Sequence, residues 1–335
     1  PADLKKDGSG LDLPIAVGIL VSSGVLQQEQ VDDTIFVGEL ALDGTIRQIA
    51  GVLPMILHAR DIGRKNIVIP AGNCAEGRLV DGIDVLIPAS LLELVEHLRG
   101  EKVLDVLDKE AICAAATSVY DVDFAEVRGQ QVVKRALEIA AAGGHNILMV
   151  GSPGSGKTML ARRLPTILPP LTEAEALEVT KIYSIAGLLQ RQERVMLERP
   201  FRSPHHTVSM AGLAGGGRSI RPGEISLAHH GVLFLDELPE FSKSTLEVLR
   251  QPLEEHQIHL TRAVGSVTYP SDFLLLASMN PCNCGYYPDR NRCRCTQASL
   301  QRYFDRISQP LIDRMDLCVE APMVTYEELT GNGNN

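Results

Sequence analysis

The sequence contains no tryptophan, and aromatic residues make up only 4% of its 335 positions. Proteins that hold bases or quaternary ammonium groups mainly by stacking need aromatic platforms, so this composition argues against that kind of recognition. Basic residues are also in the minority, because 32 Lys and Arg stand against 42 Asp and Glu, giving a net charge of −10. This balance disfavours a protein that coats nucleic acid with its whole surface, but it leaves room for a basic pore or loop.

Long apolar segments are missing as well. The longest apolar run, residues 13–26, covers fourteen positions and contains Pro, Gly and Ser. It is too short for a membrane span and lacks the flanks of a secretory signal, so we predict a cytoplasmic protein with no membrane partner. The length, with 44% hydrophobic and 22% charged residues, suggests two globular domains. The start at Pro1 and the polar tail at 326–335 lead us to expect a piece of a longer protein.

The order of predicted elements divides the chain into two α/β domains. In residues 1–100, strands at 34–40 and 45–49 flank an Asp-Gly turn and predict a hairpin. Residues 101–122 mix charged and small residues and are predicted to form a linker. From 123 to 325 the pattern becomes helix, strand, Gly-rich loop and helix, which is typical of a nucleotide domain with a parallel sheet.

The most specific motif is a Gly-rich loop that fits the pattern GxxxxGK[ST]. It follows a predicted strand at 146–150 and opens a predicted helix at 158–164, which is the context that this motif requires. Its glycines let backbone N–H groups face phosphates without a Cβ clash, so the loop is predicted to bind a nucleotide such as ATP. The loop consists of Gly151, Ser152, Pro153, Gly154, Ser155, Gly156, Lys157 and Thr158.

Two side chains of the loop and two carboxylates are predicted to act on the phosphates, the magnesium ion and the attacking water. Lys157 supplies a positive charge to the β- and γ-phosphates, and the Thr158 hydroxyl is a candidate ligand of Mg²⁺. Asp236 and Glu237 follow the apolar strand 232–235. Asp236 is predicted to lie beside the magnesium ion, and Glu237 to polarise the attacking water.

A second buried strand, 273–278, leads to Asn280. An amide at the end of a neighbouring strand can orient the attacking water against the γ-phosphate, so Asn280 is a candidate catalytic residue. Asn before Pro is also common turn chemistry, and that alternative stays open for this residue taken alone.

The loop, the Asp-Glu strand and the Asn strand together resemble the AAA+ ATPases. Four further motifs resemble, more narrowly, the magnesium-chelatase-like ATPases of the YifB/ComM family, and this resemblance runs from about 123 to 323. It implies a core with a parallel sheet and flanking helices, decorated by a helix-2 insertion at 200–228 and a presensor hairpin at 256–272. The motifs are RSPHH at 202–206, GEISLAH at 223–229, FLDELPEF at 234–241 and LIDRMDL at 311–317.

The resemblance also implies a homo-oligomer, namely a hexameric ring whose channel is lined by the two insertions. Arg218, Arg221 and Arg262 lie in these insertions. They are candidate contacts to a threaded DNA strand, with solvated loop arginines as the equally weighted alternative.

Three more residues receive a role from the resemblance. Arg314 would act as an arginine finger on the phosphoryl group of a neighbouring subunit, although Asp313 and Asp316 beside it could equally hold it in a local ion pair. Val127 and Gly129 would lie near the adenine. The helical lid that follows the core in this family, with its second sensor arginine, is missing after residue 323, so we expect weak ATP binding and weaker hydrolysis from the chain alone.

Four cysteines form the pattern C-x-C-x8-C-x-C, namely Cys282, Cys284, Cys293 and Cys295. Four thiolates within fourteen residues suit a tetrahedral zinc site, although the C-x-C spacing is tighter than the usual C-x2-C. The alternative is a set of reduced thiols in a surface loop. A structural zinc here would fix a long loop beside the strand that leads to Asn280.

Residues 1–100 resemble the proteolytic domain of Lon-type proteases, with its first strands absent. A Lon-type site needs a serine nucleophile and a lysine base. At the matching positions this sequence has Ile15 and Leu53. We therefore interpret the domain as a non-proteolytic relative that serves interaction or ring assembly.

Three functions follow in order of preference. The first is an ATP-driven ring motor that acts on DNA, in translocation or branch migration during recombination. The second is a chelatase-type ATPase that remodels a protein partner. The third, an ATP-dependent protease, is opposed by Ile15 and Leu53.

Overall fold

A computed structural model of the protein describes residues 9–109, 120–189, 195–217, 220–262 and 265–324. Contacts between Cα atoms divide the chain into two compact units. The first unit comprises Pro1–Ala114 and Ala176–Met196, and the second comprises Ala115–Glu175 and Leu197–Asn335.

The helices alternate with short strands along the described residues. In chain order they are α1 (Asp12–Ser22), α2 (Val52–Asp61), α3 (Cys74–Gly77), α4 (Leu91–Leu98), α5 (Gln131–Gly143), α6 (Lys157–Arg163), α7 (Glu173–Ala186), α8 (Met210–Ala214), α9 (Glu224–Leu227), α10 (Lys243–Glu247), α11 (Arg250–Glu255), α12 (Gln297–Phe304) and α13 (Gln309–Ile312).

The strands are mostly two to six residues long. In chain order they are β1 (Thr34–Phe36), β2 (Glu39–Leu40), β3 (Ile46–Arg47), β4 (Asn66–Val68), β5 (Asp84–Leu86), β6 (Ile147–Val150), β7 (Phe201–Arg202), β8 (Gly215–Gly216), β9 (Arg221–Pro222), β10 (Val232–Leu235), β11 (Gln257–Arg262), β12 (Gly265–Pro270), β13 (Leu274–Met279) and β14 (Leu317–Glu320).

The first unit is built on a parallel three-stranded sheet of order β1-β4-β5. Apolar side chains cover both faces, with Ile56 and Ile67 in one core cluster and Leu13 and Leu94 in the other. Because parallel strands are covered on both faces, their side chains are apolar in succession rather than in alternation. Helix α1 accounts for the long apolar run of the sequence.

The hairpin predicted over 34–49 is only partly present, because most of its first predicted strand does not pair with the second. Only β2 and β3 pair as antiparallel strands, whereas β1 pairs in parallel with β4. The run 34–40 is interrupted at Gly38, whose φ of 153° turns the chain between β1 and β2. The predicted Asp-Gly turn is present, and Asp43 accepts a hydrogen bond from the backbone N–H of Thr45 at 3.0 Å.

A segment distant in sequence completes the first unit. Within 176–196, Ser184 donates a hydrogen bond from its hydroxyl to the buried carboxylate of Glu76 at 2.5 Å. Glu76 also accepts the backbone N–H of Leu53 at 2.9 Å and the side-chain amide of Asn73 at 2.7 Å. From the sequence, residues 176–196 are predicted to belong to the nucleotide domain, because a helical pattern does not reveal which core a helix packs against.

The second unit contains a parallel five-stranded sheet of order β14-β6-β13-β10-β7. Every residue of β10 and β13 is buried, since helices cover both faces. The large side chains of the core include Phe234, Met149 and Leu276. This sheet confirms the predicted parallel α/β class. It also brings the carboxyl ends of β6, β10 and β13 to one edge.

Two insertions leave this sheet, the second at the predicted place and the first later than predicted, because residues 201–202 of the predicted range 200–228 form β7 of the sheet itself. Helices α8 and α9 with the short β8–β9 pair lie between β7 and β10, and β11 and β12 form an antiparallel hairpin before β13. The Tyr269 hydroxyl of the hairpin donates to the carbonyl oxygen of Ile220 at 2.8 Å. The two insertions therefore contact each other. Within the described residues, no helix is long and apolar enough to cross a membrane.

Candidate functional site

The Gly-rich loop connects β6 to α6, as the sequence predicts. Its Lys157 is only 9% exposed and donates from Nζ to the carbonyl oxygens of Gly151 at 2.7 Å and Ser152 at 3.1 Å. Burial lowers the pKa of the Lys157 ammonium, and the carboxylates of Asp236 and Glu237 partly offset this. An anion in the loop could take the place of the two carbonyl oxygens as the partner of Lys157.

Asp236 lies at the carboxyl end of β10, beside the first turn of α6. The Thr158 hydroxyl donates to Asp236 Oδ2 at 2.7 Å, and the Ser278 hydroxyl donates to Asp236 Oδ1. The hydroxyl and the carboxylate are both oxygen ligands of the kind that Mg²⁺ prefers, so this pair fits a magnesium site. Ser278 carries no motif that predicts it, because only the parallel pairing of β10 and β13 brings it beside Asp236.

Glu237 follows in an unusual backbone conformation. Its φ of 54° is in the left-handed region, which non-glycine residues seldom occupy and which is common at functional sites. The side chain is 57% exposed, and Glu237 Oε2 lies 3.7 Å from Nδ1 of His206. The ring of His206 contacts that of His205 at a tilt of 36°, with 4.0 Å between ring centroids. No sequence motif predicts this contact, although His206 follows β7, the strand next to β10.

Asn280 completes the edge where the three strands end. Its Oδ1 lies 3.3 Å from Nζ of Lys157, and its carbonyl oxygen accepts a hydrogen bond from the Tyr303 hydroxyl at 3.1 Å. A cavity of about 390 Å³ opens between these groups. Its lining comprises Pro153, Gly154, Ser155, Gly156, Lys157, Thr158, Met159, Asp236, Glu237, Ser278, Met279 and Asn280.

The two residues predicted to lie near the adenine, Val127 and Gly129, have different surroundings. Val127 is 1% exposed and packs in the core, so the structure does not bring its side chain to the cavity. Gly129 precedes Gln130, whose side-chain amide donates to the carbonyl oxygen of Ser155 at 3.1 Å. The oxygen of the same amide, Gln130 Oε1, is buried without a hydrogen-bond partner among the described residues.

Arg314 lies at the opposite end of the sheet. Its carbonyl oxygen accepts a hydrogen bond from the side chain of Asn146, which precedes β6, whereas the nucleotide loop follows β6. Four residues of strand, about 13 Å, separate the two places. The guanidinium of Arg314 pairs with Glu254. Arg314 therefore does not face the loop of its own chain, and Glu254, not Asp313 or Asp316, is the ion-pair partner that the structure shows.

The four cysteines of the predicted zinc site come together. Their Sγ atoms all lie within 4.8 Å of one another. Cys282 Sγ is 3.2 Å from that of Cys284 and 3.9 Å from that of Cys293, and the Sγ atoms of Cys284 and Cys295 are 3.6 Å apart. A tetrahedral zinc with Zn–S bonds of about 2.3 Å requires sulfur atoms about 3.8 Å apart. The donor set and its spacing thus fit Zn²⁺.

The predicted channel arginines are only partly described. Arg221 is exposed at the start of β9. Arg218 lies outside the described residues, as does the side chain of Arg262, whose backbone ends β11 at the hairpin tip.

The two Lon-type positions of the first unit carry aliphatic side chains in different surroundings. Ile15 is 48% exposed on α1, and Leu53 is fully buried on α2. Neither side chain can act as a nucleophile or as a base.

The strand–loop–helix element, the Asp-Glu strand and the Asn strand, arranged along one parallel sheet, define a P-loop domain of the AAA+ class. The sequence profile described as magnesium chelatase, subunit ChlI, matches residues 123–329, and a second profile, subunit ChlI of Mg-chelatase, matches residues 1–73. The chain belongs to this magnesium chelatase family and, within it, to the YifB/ComM group.

Individual relatives support this membership. YifB of Salmonella typhimurium is 46% identical over 96% of the chain and 63% of its own length, and the competence protein ComM of Haemophilus influenzae is 42% identical over 100% and 65%. The magnesium-chelatase 67 kDa subunit of Heliobacterium mobile is 28% identical over 47% of the chain and 28% of its own length. The chain thus spans 63–65% of the length of the YifB and ComM relatives named here.

Proposed function

We propose that the protein is an ATPase whose active site is the cavity at the carboxyl ends of β6, β10 and β13. The observation that carries this proposal is the buried Lys157, which contacts loop carbonyls and Asn280 at the rim of that cavity. Lys157 and the loop N–H groups would bind the phosphates. Glu237 would accept a proton from the attacking water, and Asn280 would orient that water.

Mg²⁺ is proposed as the cofactor, held by Thr158 and Asp236. When bound, the ion would supply positive charge to the β- and γ-phosphate oxygens. The hydrogen bonds from Thr158 and Ser278 keep the Asp236 carboxylate at the cavity edge, where an oxygen ligand is needed.

A ring-shaped homo-oligomer, of six subunits as the family resemblance implies, is proposed as the active form. Since Arg314 lies at the end of the sheet away from its own loop, only another subunit could receive it as a finger. Mixing Arg314→Ala subunits with Lys157→Ala subunits tests this, because each carries the group that the other lacks. We expect phosphate release from the mixture to exceed the sum of the two separate rates. No gain on mixing, in a complex of confirmed size, would contradict the finger.

DNA is proposed as the polymer that the motor moves. The protein carries a charge of −10, yet neither 205–223 nor 257–271 contains an Asp or Glu, and together they carry Arg218, Arg221 and Arg262. The hydrogen bond between Tyr269 and Ile220 brings the described parts of the two stretches into contact. Stretches that carry arginines and no acidic residue of their own suit a phosphate backbone.

The chelatase-type alternative, a motor that remodels a protein partner, is favoured by the match to the magnesium-chelatase subunit profile. The ATPase rate of the full chain with and without single- or double-stranded DNA separates the two functions. We expect DNA to stimulate the rate, and the stimulation to fall as salt rises. An unchanged rate over the whole DNA concentration range would contradict the DNA proposal and leave the ATPase proposal intact.

Zn²⁺ is proposed as a structural ion held by Cys282, Cys284, Cys293 and Cys295. Binding would release the thiol protons to solvent and lock the loop that carries the cysteines. Elemental analysis should find about one zinc per chain. Cys284→Ser should lower this value, and Cys318→Ser, which removes an exposed thiol elsewhere, should not.

The first unit is proposed to be a Lon-like domain that makes contacts rather than cleaving peptides. Its two aliphatic side chains at the Lon-type positions support this role. A cytoplasmic location is proposed with it, in keeping with an ATP-dependent motor.

A further inference from the structure

The loop between the two cysteine pairs lies against the nucleotide loop. Gly285, which follows Cys284, has a φ of 82°, and a Cβ atom placed on it would stand 2.5 Å from Cδ and 2.8 Å from Cγ of Pro153. Real Cβ atoms essentially never come this close to another heavy atom. The main chain at Gly285 therefore fits directly against the Pro153 ring, and only glycine allows the approach.

The same loop is joined to the site at Asn280. Asn280, Pro281 and Cys282 are consecutive, so the first zinc ligand follows the proposed water-orienting residue after a single proline. The Tyr303 hydroxyl holds the carbonyl oxygen of Asn280. Tyr303 belongs to α12, and Leu300 of the same helix packs in the cluster formed by the cysteines.

Apart from the sulfur atoms, this loop is held by turn hydrogen bonds and by two cation–π contacts, Arg290 with Tyr287 and Arg292 with Tyr286. Residues 281–296 contain no helix or strand, and all of them are described. The apolar cluster around the cysteines is small, with Cys282, Cys293 and Leu300 as its buried members. Because its core is so small, we expect a metal to stabilise one conformation of this loop further.

From these contacts we propose that zinc in the four-cysteine site controls ATP affinity, because the metal-locked loop holds Pro153 and the nucleotide loop in the binding conformation. The inference rests on the zinc and ATP sites of the proposed function. It predicts that the metal and the nucleotide are coupled although they bind to different residues.

The first test measures metal content and nucleotide affinity together. Elemental analysis and the anisotropy of a fluorescent ATP analogue are recorded for the full chain as purified, after chelator treatment and buffer exchange, and after zinc reloading. We expect the affinity to fall about 10-fold on zinc removal and to return on reloading, as is typical of coupled sites. Circular dichroism and gel filtration verify that the stripped protein remains folded and of unchanged size.

Three outcomes are distinguishable. Zinc binding with unchanged ATP affinity overturns the coupling and leaves the zinc site standing. A metal content near zero in every preparation, with ATP bound, overturns the zinc site and the coupling but not the ATP site. No nucleotide binding by the zinc-loaded protein overturns the ATP site itself.

The second test addresses the contact without removing the metal. Gly285→Ala should weaken ATP binding about 10-fold, because the added methyl pushes on the Pro153 ring, and zinc content should stay at the wild-type value. Gly144→Ala is the matched control, since Gly144 also has a positive φ, 67°, but nothing lies within 4 Å of a Cβ placed there. Adding Pro153→Ala to Gly285→Ala should restore part of the affinity. Equal affinities for the two glycine variants would overturn the contact.

Discussion

The two units of the chain both contain a parallel sheet and a buried charged side chain, but the partners of the charge differ. In the first unit, Glu76 is held by a backbone N–H, a hydroxyl and an amide of its own fold. In the second, Lys157 is held mainly by carbonyl oxygens of a loop that lines a cavity. Both side chains line a cavity, so the partners make the difference: an anion can replace the carbonyl oxygens around Lys157, whereas the donors around Glu76 already satisfy its carboxylate.

The comparison predicts that substitutions in the second unit change chemistry and that those in the first change stability. The largest effect is expected for Glu237→Gln. The amide cannot accept the proton of water, so ATP turnover should fall about 1,000-fold while ATP affinity stays within about threefold. Phosphate release and nucleotide binding are measured together. Glu240→Gln, three residues along the chain, is the control, and near-normal turnover by Glu237→Gln would remove Glu237 from the mechanism.

Lys157→Ala is expected to weaken nucleotide binding about 100-fold or more. The phosphates lose a buried charge-assisted contact, and the variant should unfold at a denaturant concentration close to that of the wild type. Equilibrium binding of a fluorescent ATP analogue gives the affinity. The exposed Lys243→Ala should bind as the wild type does, and tight binding by Lys157→Ala would contradict the proposed site.

In the first unit, Leu53→Ala should lower the free energy of unfolding by about 3 kcal/mol, because it leaves a cavity in a fully buried core. Urea unfolding, followed by circular dichroism, measures this change. Met55→Ala, 40% exposed on the same helix, is the matched control and should cost clearly less. Equal losses for both variants would mean that Leu53 is less tightly packed than the structure shows.

Glu76→Gln should cost about 2 kcal/mol of the free energy of unfolding, since the amide cannot accept all the hydrogen bonds that the carboxylate accepts. The same urea experiment applies, with the exposed Glu29→Gln as the control. A variant as stable as the wild type would show that the network around Glu76 is not needed for the fold.

The smallest effect is expected at Ile15, which stands at the position that matches the Lon nucleophile. Ile15→Ser should change the free energy of unfolding by less than about 0.5 kcal/mol, because Ile15 is largely exposed. It should also leave casein undegraded in the presence of ATP, since Leu53 supplies no base. ATP-stimulated casein cleavage, by the variant or by the wild type, would contradict the non-proteolytic interpretation.

Much of the proposed ATP site could be predicted from sequence because its parts are local. The loop 151–158 is contiguous, and Asp236 and Asn280 each follow an apolar run that parallel pairing brings to the same edge. The chemical role proposed for each residue is then based on its type. The family membership predicted from the motifs is confirmed by the relatives.

The remaining features depend on contacts that no local pattern encodes. The pairing of Arg314 with Glu254 joins positions sixty residues apart, and a residue's neighbours in sequence, here Asp313 and Asp316, are poor guides to it. Likewise, the pattern of residues 34–40 predicts one strand, because a single glycine within the stretch does not reveal that its two halves join different sheets.

The path of the chain between the units has a consequence for synthesis on the ribosome. The chain leaves the first unit near residue 114 and returns to it at Ala176–Met196. A growing chain therefore cannot complete the first unit until residue 196 has emerged, by which time the nucleotide loop is already outside the exit tunnel. The first unit should thus acquire protease resistance late during translation, after the segment with Ser184 appears. Cutting the gene at the predicted linker would leave Glu76 without one of its buried partners.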